Sequence, residues 1–149
     1  MRFAVAVISL AVCVLPVQAG GLVKLESKSS VKETTDRLAA AVEQRGIKII
    51  ARVDHAASAK AAGLELAPSE LLMFGNPKLG TPLMQASPEI GIDLPIKVLT
   101  WQDKDGKIWI GYAAPDEIVS RHGITGRDDV VKAMRGALDG LVKAASGQQ

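Results

Sequence analysis

The side chains able to do chemistry in this chain are few, and they sit in separate segments. His55 follows an alternating stretch, Ile47 to Asp54. An imidazole that titrates near neutrality can serve there as acid, base or metal ligand. If the strand runs one residue further, His55 falls on its apolar face while Asp54 points the other way. Gly75-Asn76-Pro77-Lys78 comes directly after an apolar run. Asn76 before a proline is driven toward extended backbone, and Gly75 allows another backbone to approach closely. The Asn76 amide and the Lys78 cation together suit a carboxylate or another small anion. Asp93 opens Asp93-Leu94-Pro95 and could orient His55, or accept a proton, if the two meet in space. A plainer role competes in each case. His55 can bond a backbone carbonyl, residues 75–78 can simply end a strand, and Asp93 can fix a turn. His122, just before Gly123, suits a helix end, where the dipole favours a cation.

These residues do not assemble into a known catalytic set, so the catalytic residues stay unassigned. Two histidines and scattered carboxylates lack the four ligands at regular spacing that a zinc site needs. No Cys-x-x-Cys-His stretch exists for covalent haem, and nothing positive points to a noncovalent haem on His55 or Met84. The sequence has no Gly-x-Ser-x-Gly, and residues 75–78 hold too few glycines for a phosphate-binding loop. No metal and no cofactor is therefore expected.

The chain begins like a secretory signal. Arg2 is the positive end, Phe3 to Val17 is almost wholly apolar, and Val17-Gln18-Ala19 places small residues for cleavage before Gly20. The apolar run is shorter than the ~20 residues of a membrane span. Residues 1–19 are read as this signal and 20–149 as a single domain, with a periplasmic or secreted address. Removing 19 of the 149 residues leaves 130, without Cys13 and without Arg2, and lowers the formal charge from +2 to +1. A chain with no thiol cannot use disulfides, so packing must hold it together. So small a charge argues against nucleic acid, and no transmembrane segment is expected in the mature chain.

The elements that must position these residues can be traced in order. Gly21 to Ser27 reads as a strand. Ser30-Val31-Lys32-Glu33 is a capping box for a helix that ends at Gly46. Ile47, Ile49, Ala51 and Val53 are expected on one strand face, followed by a short helix over residues 56–62. Glu70 to Phe74 reads as a strand buried on both sides, and residues 75–93 as a long loop with a short helix near 81–86. The next two strands form a hairpin. A three-residue loop with Gly106 at the bulge aligns Leu94, Ile96, Val98 and Thr100 with Ile108, Ile110 and Tyr112, and sets Trp101 across from Trp109. Pro115 starts a short helix, and a long one begins near Arg127. The expected fold is α+β: strand, helix, four strands, helix, with an antiparallel five-stranded sheet and both long helices on one face. Trp101, Trp109 and Leu99 then lie on the face without a helix.

The ordered set of His55, Phe74-Gly75-Asn76-Pro77, Gly91-Ile92-Asp93-Leu94-Pro95, the Trp101 hairpin with Asp105-Gly106, and Arg121-His122-Gly123 resembles the domain-of-unknown-function family 302. The resemblance spans Leu22 to Val142. It implies the same strand-helix-four-strand-helix fold and a tendency to form homodimers. It brings no activity, substrate or catalytic residue.

The functional expectation is an exported small-ligand-binding module, with His55, Asn76, Lys78 and Asp93 lining a pocket at the strand ends and a small anion as its ligand. One alternative is an enzyme with His55 as general base beside Asp93; the balance leans away from it. Another is a structural or assembly protein acting through the Trp101/Trp109 face.

Overall fold

Ser30 starts the first long helix as its sequence requires. Its hydroxyl accepts the Glu33 amide at 3.2 Å, and the Glu33 carboxylate accepts the Ser30 amide at 3.1 Å. In the computed structural model, which describes residues 21–148, the chain runs β1 (Leu22–Ser27), α1 (Val31–Gln44), β2 (Lys48–Asp54), α2 (His55–Ala61), β3 (Ser69–Gly75), α3 (Pro77–Ala86), a 3-10 turn (Pro88–Ile92), β4 (Ile96–Gln102), β5 (Ile108–Ala113), α4 (Pro115–Arg121) and α5 (Asp128–Ser146). The expected signal segment, residues 1–19, lies outside the described residues.

The strands form one sheet in the order β1-β5-β4-β3-β2, and every neighbouring pair is antiparallel. The long helices α1 and α5 pack on one face. Leu38 and Val42 of α1 and Leu138, Leu141 and Val142 of α5 are buried there against Leu25, Leu72, Val98 and Ile110 of the sheet. Burying such side chains contributes roughly 1.5–3 kcal/mol each. Tyr112 belongs to the same layer, and its hydroxyl bonds Asp139 at 2.5 Å. Burial first, and then the Asp139 carboxylate, push the phenol well above its ordinary range.

The β4–β5 hairpin has the bulged register. Trp101 pairs with Trp109, Thr100 with Ile110 and Val98 with Tyr112, while Gly106 takes a φ of 81° in the loop. Within the sheet two expectations change, and outside it the expected loop 75–93 instead opens with helix α3 from Pro77. The first concerns β2, where the register shifts between Ile49 and Ala51. Ile49 stays opposite the buried Phe74, but Ala51 and Val53 pair with Met73 and Leu71 on the other face. The bulge also turns Arg52 toward the helices, where its Nε donates to Glu70 and its guanidinium to Asp36, each at 2.6 Å. The second concerns β3, which alternates between buried and half-buried positions rather than being buried on both sides. Leu71 and Met73 share the face of Leu99, Trp101 and Trp109, over which neither long helix lies. That face is partly satisfied from within: the Trp109 indole donates to Asp103 at 2.7 Å, and Lys24 Nζ lies 4.3 Å from its ring centroid.

Candidate functional site

The four candidate residues do not converge as a group, because His55 is at the wrong end of the sheet. β2 and β3 pair from Lys48 opposite Gly75 to Asp54 opposite Glu70. His55 follows Asp54, whereas Asn76 and Lys78 follow Gly75. Asp93 precedes β4, whose Ile96 pairs with Phe74. The length of strand between the two ends, Glu70 to Gly75, is roughly 16 Å at ~3.3 Å per residue. His55 opens α2 rather than ending β2 on the apolar face. Asp54 terminates the strand by capping that helix, accepting the Ala57 amide at 2.8 Å. A general base at His55 assisted by Asp93 is therefore not available in this fold.

At the other end, Asn76 is the N-cap of α3: its side chain accepts the Lys78 amide at 3.0 Å, and Pro77 occupies the first helical turn. Residues 75–78 thus form a helix start and not an open anion loop. The signal is present in the sequence, since Asn followed by Pro is a cap followed by a favoured first helical residue. Lys78 projects from the exposed first turn.

Asp93 has partners other than His55. Its carboxylate bonds His122 Nε2 at 2.7 Å and the Arg121 guanidinium at 3.0 Å. The His122 hydrogen bond first, and the Arg121 charge after it, hold the Asp93 carboxyl below its ordinary range. The His122 side chain is only 10% exposed, so this contact ties the end of α4 to the segment entering β4. The pairing is hidden in the sequence because Asp93 and His122 are far apart, and both residue types have common local uses at turns and helix ends.

The concavity at this end is apolar. A pocket of about 390 Å³ opens between α3, the end of β3 and α5. Its floor includes Phe74, Leu138 and Leu141, all buried, and Leu79, Gly80 and Met84 of α3 form one wall. Ile50, 53% exposed at the β2 bulge, and Met84, 36% exposed, mark the mouth. Asn76 and Lys48 are among the lining residues, and Lys48 is the one charged residue among those described. Lys78 and Asp93 are not in the wall, though each is adjacent in sequence to a residue that is. The volume lies within the ~300–1,000 Å³ typical of small-molecule sites. Among the described residues no group of three or more His, Cys, Asp or Glu side chains could hold a metal ion, and no helix is long and apolar enough to cross a membrane.

The class defined by this geometry is an α+β domain with one antiparallel five-stranded sheet, two long helices on one face, and an apolar pocket at one sheet end. The profile of Domain of unknown function DUF302 matches residues 23–141, and the chain belongs to that family. The crystal structure of an uncharacterized conserved protein DUF302 from Bacillus stearothermophilus has the same fold: the TM-score is 0.76 at 19% identity, covering 85% of this chain and 99% of that one. The chain is also 46% identical over 128 residues to the Fluoride-specific ion channel FluC 1 of Brucella suis biovar 1 (strain 1330), covering 85% of this chain and 50% of that protein. It is equally identical over 128 residues to FluC 1 of Brucella abortus biovar 1 (strain 9-941), of which it covers 47%. The chain thus spans about half the length of the curated relatives it matches.

Proposed function

We propose that this chain is an exported small-ligand-binding module whose site is the pocket between α3 and α5. The pocket itself is the observation that carries this reading. A concavity of about 390 Å³, the size of a small-molecule site, stands here beside buried Leu138 and Leu141. Export is supported by the charged, apolar and small-residue succession of residues 1–19; N-terminal sequencing of the chain from a periplasmic fraction should begin at Gly20. Binding is tested with the environment-sensitive dye anilinonaphthalene sulfonate. Gly80 lines the pocket, so Gly80→Phe fills it from the wall. Native protein should enhance the dye's emission, and a folded Gly80→Phe variant should not. Equal emission from both would remove the pocket from the function.

The second reading is assembly through the sheet face opposite the two long helices, with a second copy as the partner. Leu71, Met73, Leu99 and Trp101 form a half-buried apolar strip there, and its accessible part is the kind of surface that marks interfaces. The Brucella relatives favour a domain that works beside another unit. In them a 46% identical sequence is joined to about as much chain again, and those proteins are named fluoride-specific ion channels. Sedimentation of the native protein and of Leu99→Lys tests the homodimer. A dimer converted to monomer supports it, and a native monomer eliminates it.

A further inference from the structure

The chemistry of the pocket wall narrows what can enter it, and any assignment of a ligand rests on the pocket being the binding site. Two features combine. The interior is almost purely hydrocarbon and thioether, supplied by Phe74, Leu79, Leu94, Met134, Leu138 and Leu141. The methionines, Met84 at the mouth and Met134 inside, are the adaptable kind of wall that accommodates chains of differing shape. Among the described residues that line the pocket the only charged one is cationic, Lys48, and none is a carboxylate. Lys48 is exposed on the edge strand β2, beside the exposed Ile50 at the mouth. Among the described residues it forms no salt bridge, and Lys78, next to the lining residues Pro77 and Leu79, likewise forms none. The acidic groups next in sequence to the wall are already engaged, Asp93 by Arg121 and His122 and Asp139 by the Tyr112 hydroxyl.

An apolar pocket whose one charged lining residue, among those described, is a lysine without a salt bridge matches a molecule of one description. We propose that the ligand is a single-chain amphiphile with an anionic head, of the medium-chain carboxylate class, its hydrocarbon in the pocket and its head at Lys48. A pocket of about 390 Å³ has room for at most about 13 methylenes at the ~30 Å³ that a water molecule occupies in the liquid, so a chain on the order of ten carbons fits within it. A purely apolar ligand would leave the mouth cation unused. A cationic amphiphile would set like charges together.

The test is displacement of anilinonaphthalene sulfonate from the mature protein by saturated carboxylates of six to fourteen carbons. The same is done with the matching alcohols and alkyltrimethylammonium ions, all below their micelle concentrations. Carboxylate affinity should rise about fourfold per added methylene and level off near ten carbons. The trimethylammonium series should be weakest. Lys48→Ala should lower carboxylate affinity about two- to fivefold, the range for an exposed charge pair, leave the alcohols unchanged, and be rescued by Lys48→Arg. Added salt should erode the carboxylate advantage. Alcohols that match carboxylates in both native and Lys48→Ala protein would overturn the anionic head. A dye that no amphiphile displaces, but that Gly80→Phe excludes, would overturn the amphiphile while leaving the pocket as a binding site. A dye indifferent to Gly80→Phe would instead defeat the assignment of the pocket as the site.

Discussion

Gly80 offers a decisive perturbation, because the usual cost of glycine is incurred there with no packing reason for it. The residue lies inside α3, its φ is not in the left-handed region, and it lines the pocket. A Cβ added at this position meets Leu94 Cδ1 at 3.6 Å and Met84 Cε at 3.9 Å, which are ordinary contacts. Glycine in a helix interior is less favourable than alanine by about 0.8–1 kcal/mol. The new methyl adds part of the ~0.8 kcal/mol that a fully buried group contributes, since one side of it still faces the pocket. Gly80→Ala should therefore stabilise the protein by about 1–1.5 kcal/mol. In urea denaturation the midpoint should rise by roughly 0.5–1 M with the slope unchanged. Dye binding should persist within about twofold for Gly80→Ala, then fall for Gly80→Leu and vanish for Gly80→Phe as the pocket fills. Destabilisation by Gly80→Ala would refute the open space beside the helix. A rise in stability without the graded loss of dye binding would refute the pocket as the dye's site.

Three further outcomes are set by the packing and the charges. At Gly111 an added Cβ would sit 2.7 Å from the Val23 carbonyl oxygen on β1, so Gly111→Ala should cost about 2 kcal/mol by forcing the edge strand away, measured by thermal or urea unfolding. Asp93→Asn should cost about 1–2 kcal/mol at pH 7 by weakening the charge-assisted bonds to His122 and Arg121. Because the native Asp93 carboxyl is held below its ordinary value, its contribution is complete above the unfolded value of about 3.9 and is lost as pH falls through the native one. The stability gap between native and Asp93→Asn protein should accordingly narrow below about pH 4, and a gap unchanged by acid would contradict the assignment. His55→Ala should leave dye binding unaltered, since His55 is at the far end of the sheet from the pocket; a loss of binding would contradict that placement.

The local signals in the chain are sufficient for most of the architecture. Ser30 and Glu33 make a capping box whatever surrounds them. Gly106 at positive φ sets the hairpin register, and the register decides that Thr100 and Ile110 face the helices while Trp101 and Trp109 face away. Alternation in β4 and the helical stripe of α5 are legible because each depends on a short repeat along one segment. The Asn76-Pro77 helix start is equally local but ambiguous, since the same dipeptide serves in turns and loops.

The candidate site depends on information of another kind. Met134, Leu138 and Leu141 read as a core stripe in the sequence, and only the placement of α3 opposite them decides that part of this stripe borders open space. The bulge after Ile49 brings Arg52 to the helix side, an outcome that strict alternation could not anticipate. Whether Asp93 meets His55 or His122 depends on which strand ends lie together, and the antiparallel order β1-β5-β4-β3-β2 sends His55 to the opposite end. Composition and periodicity determine which face of an element is apolar, because that depends on neighbours a few residues away. Which polar groups meet, and where packing leaves a void, depends on how separate elements fit together in three dimensions, and no short stretch of chain encodes that alone.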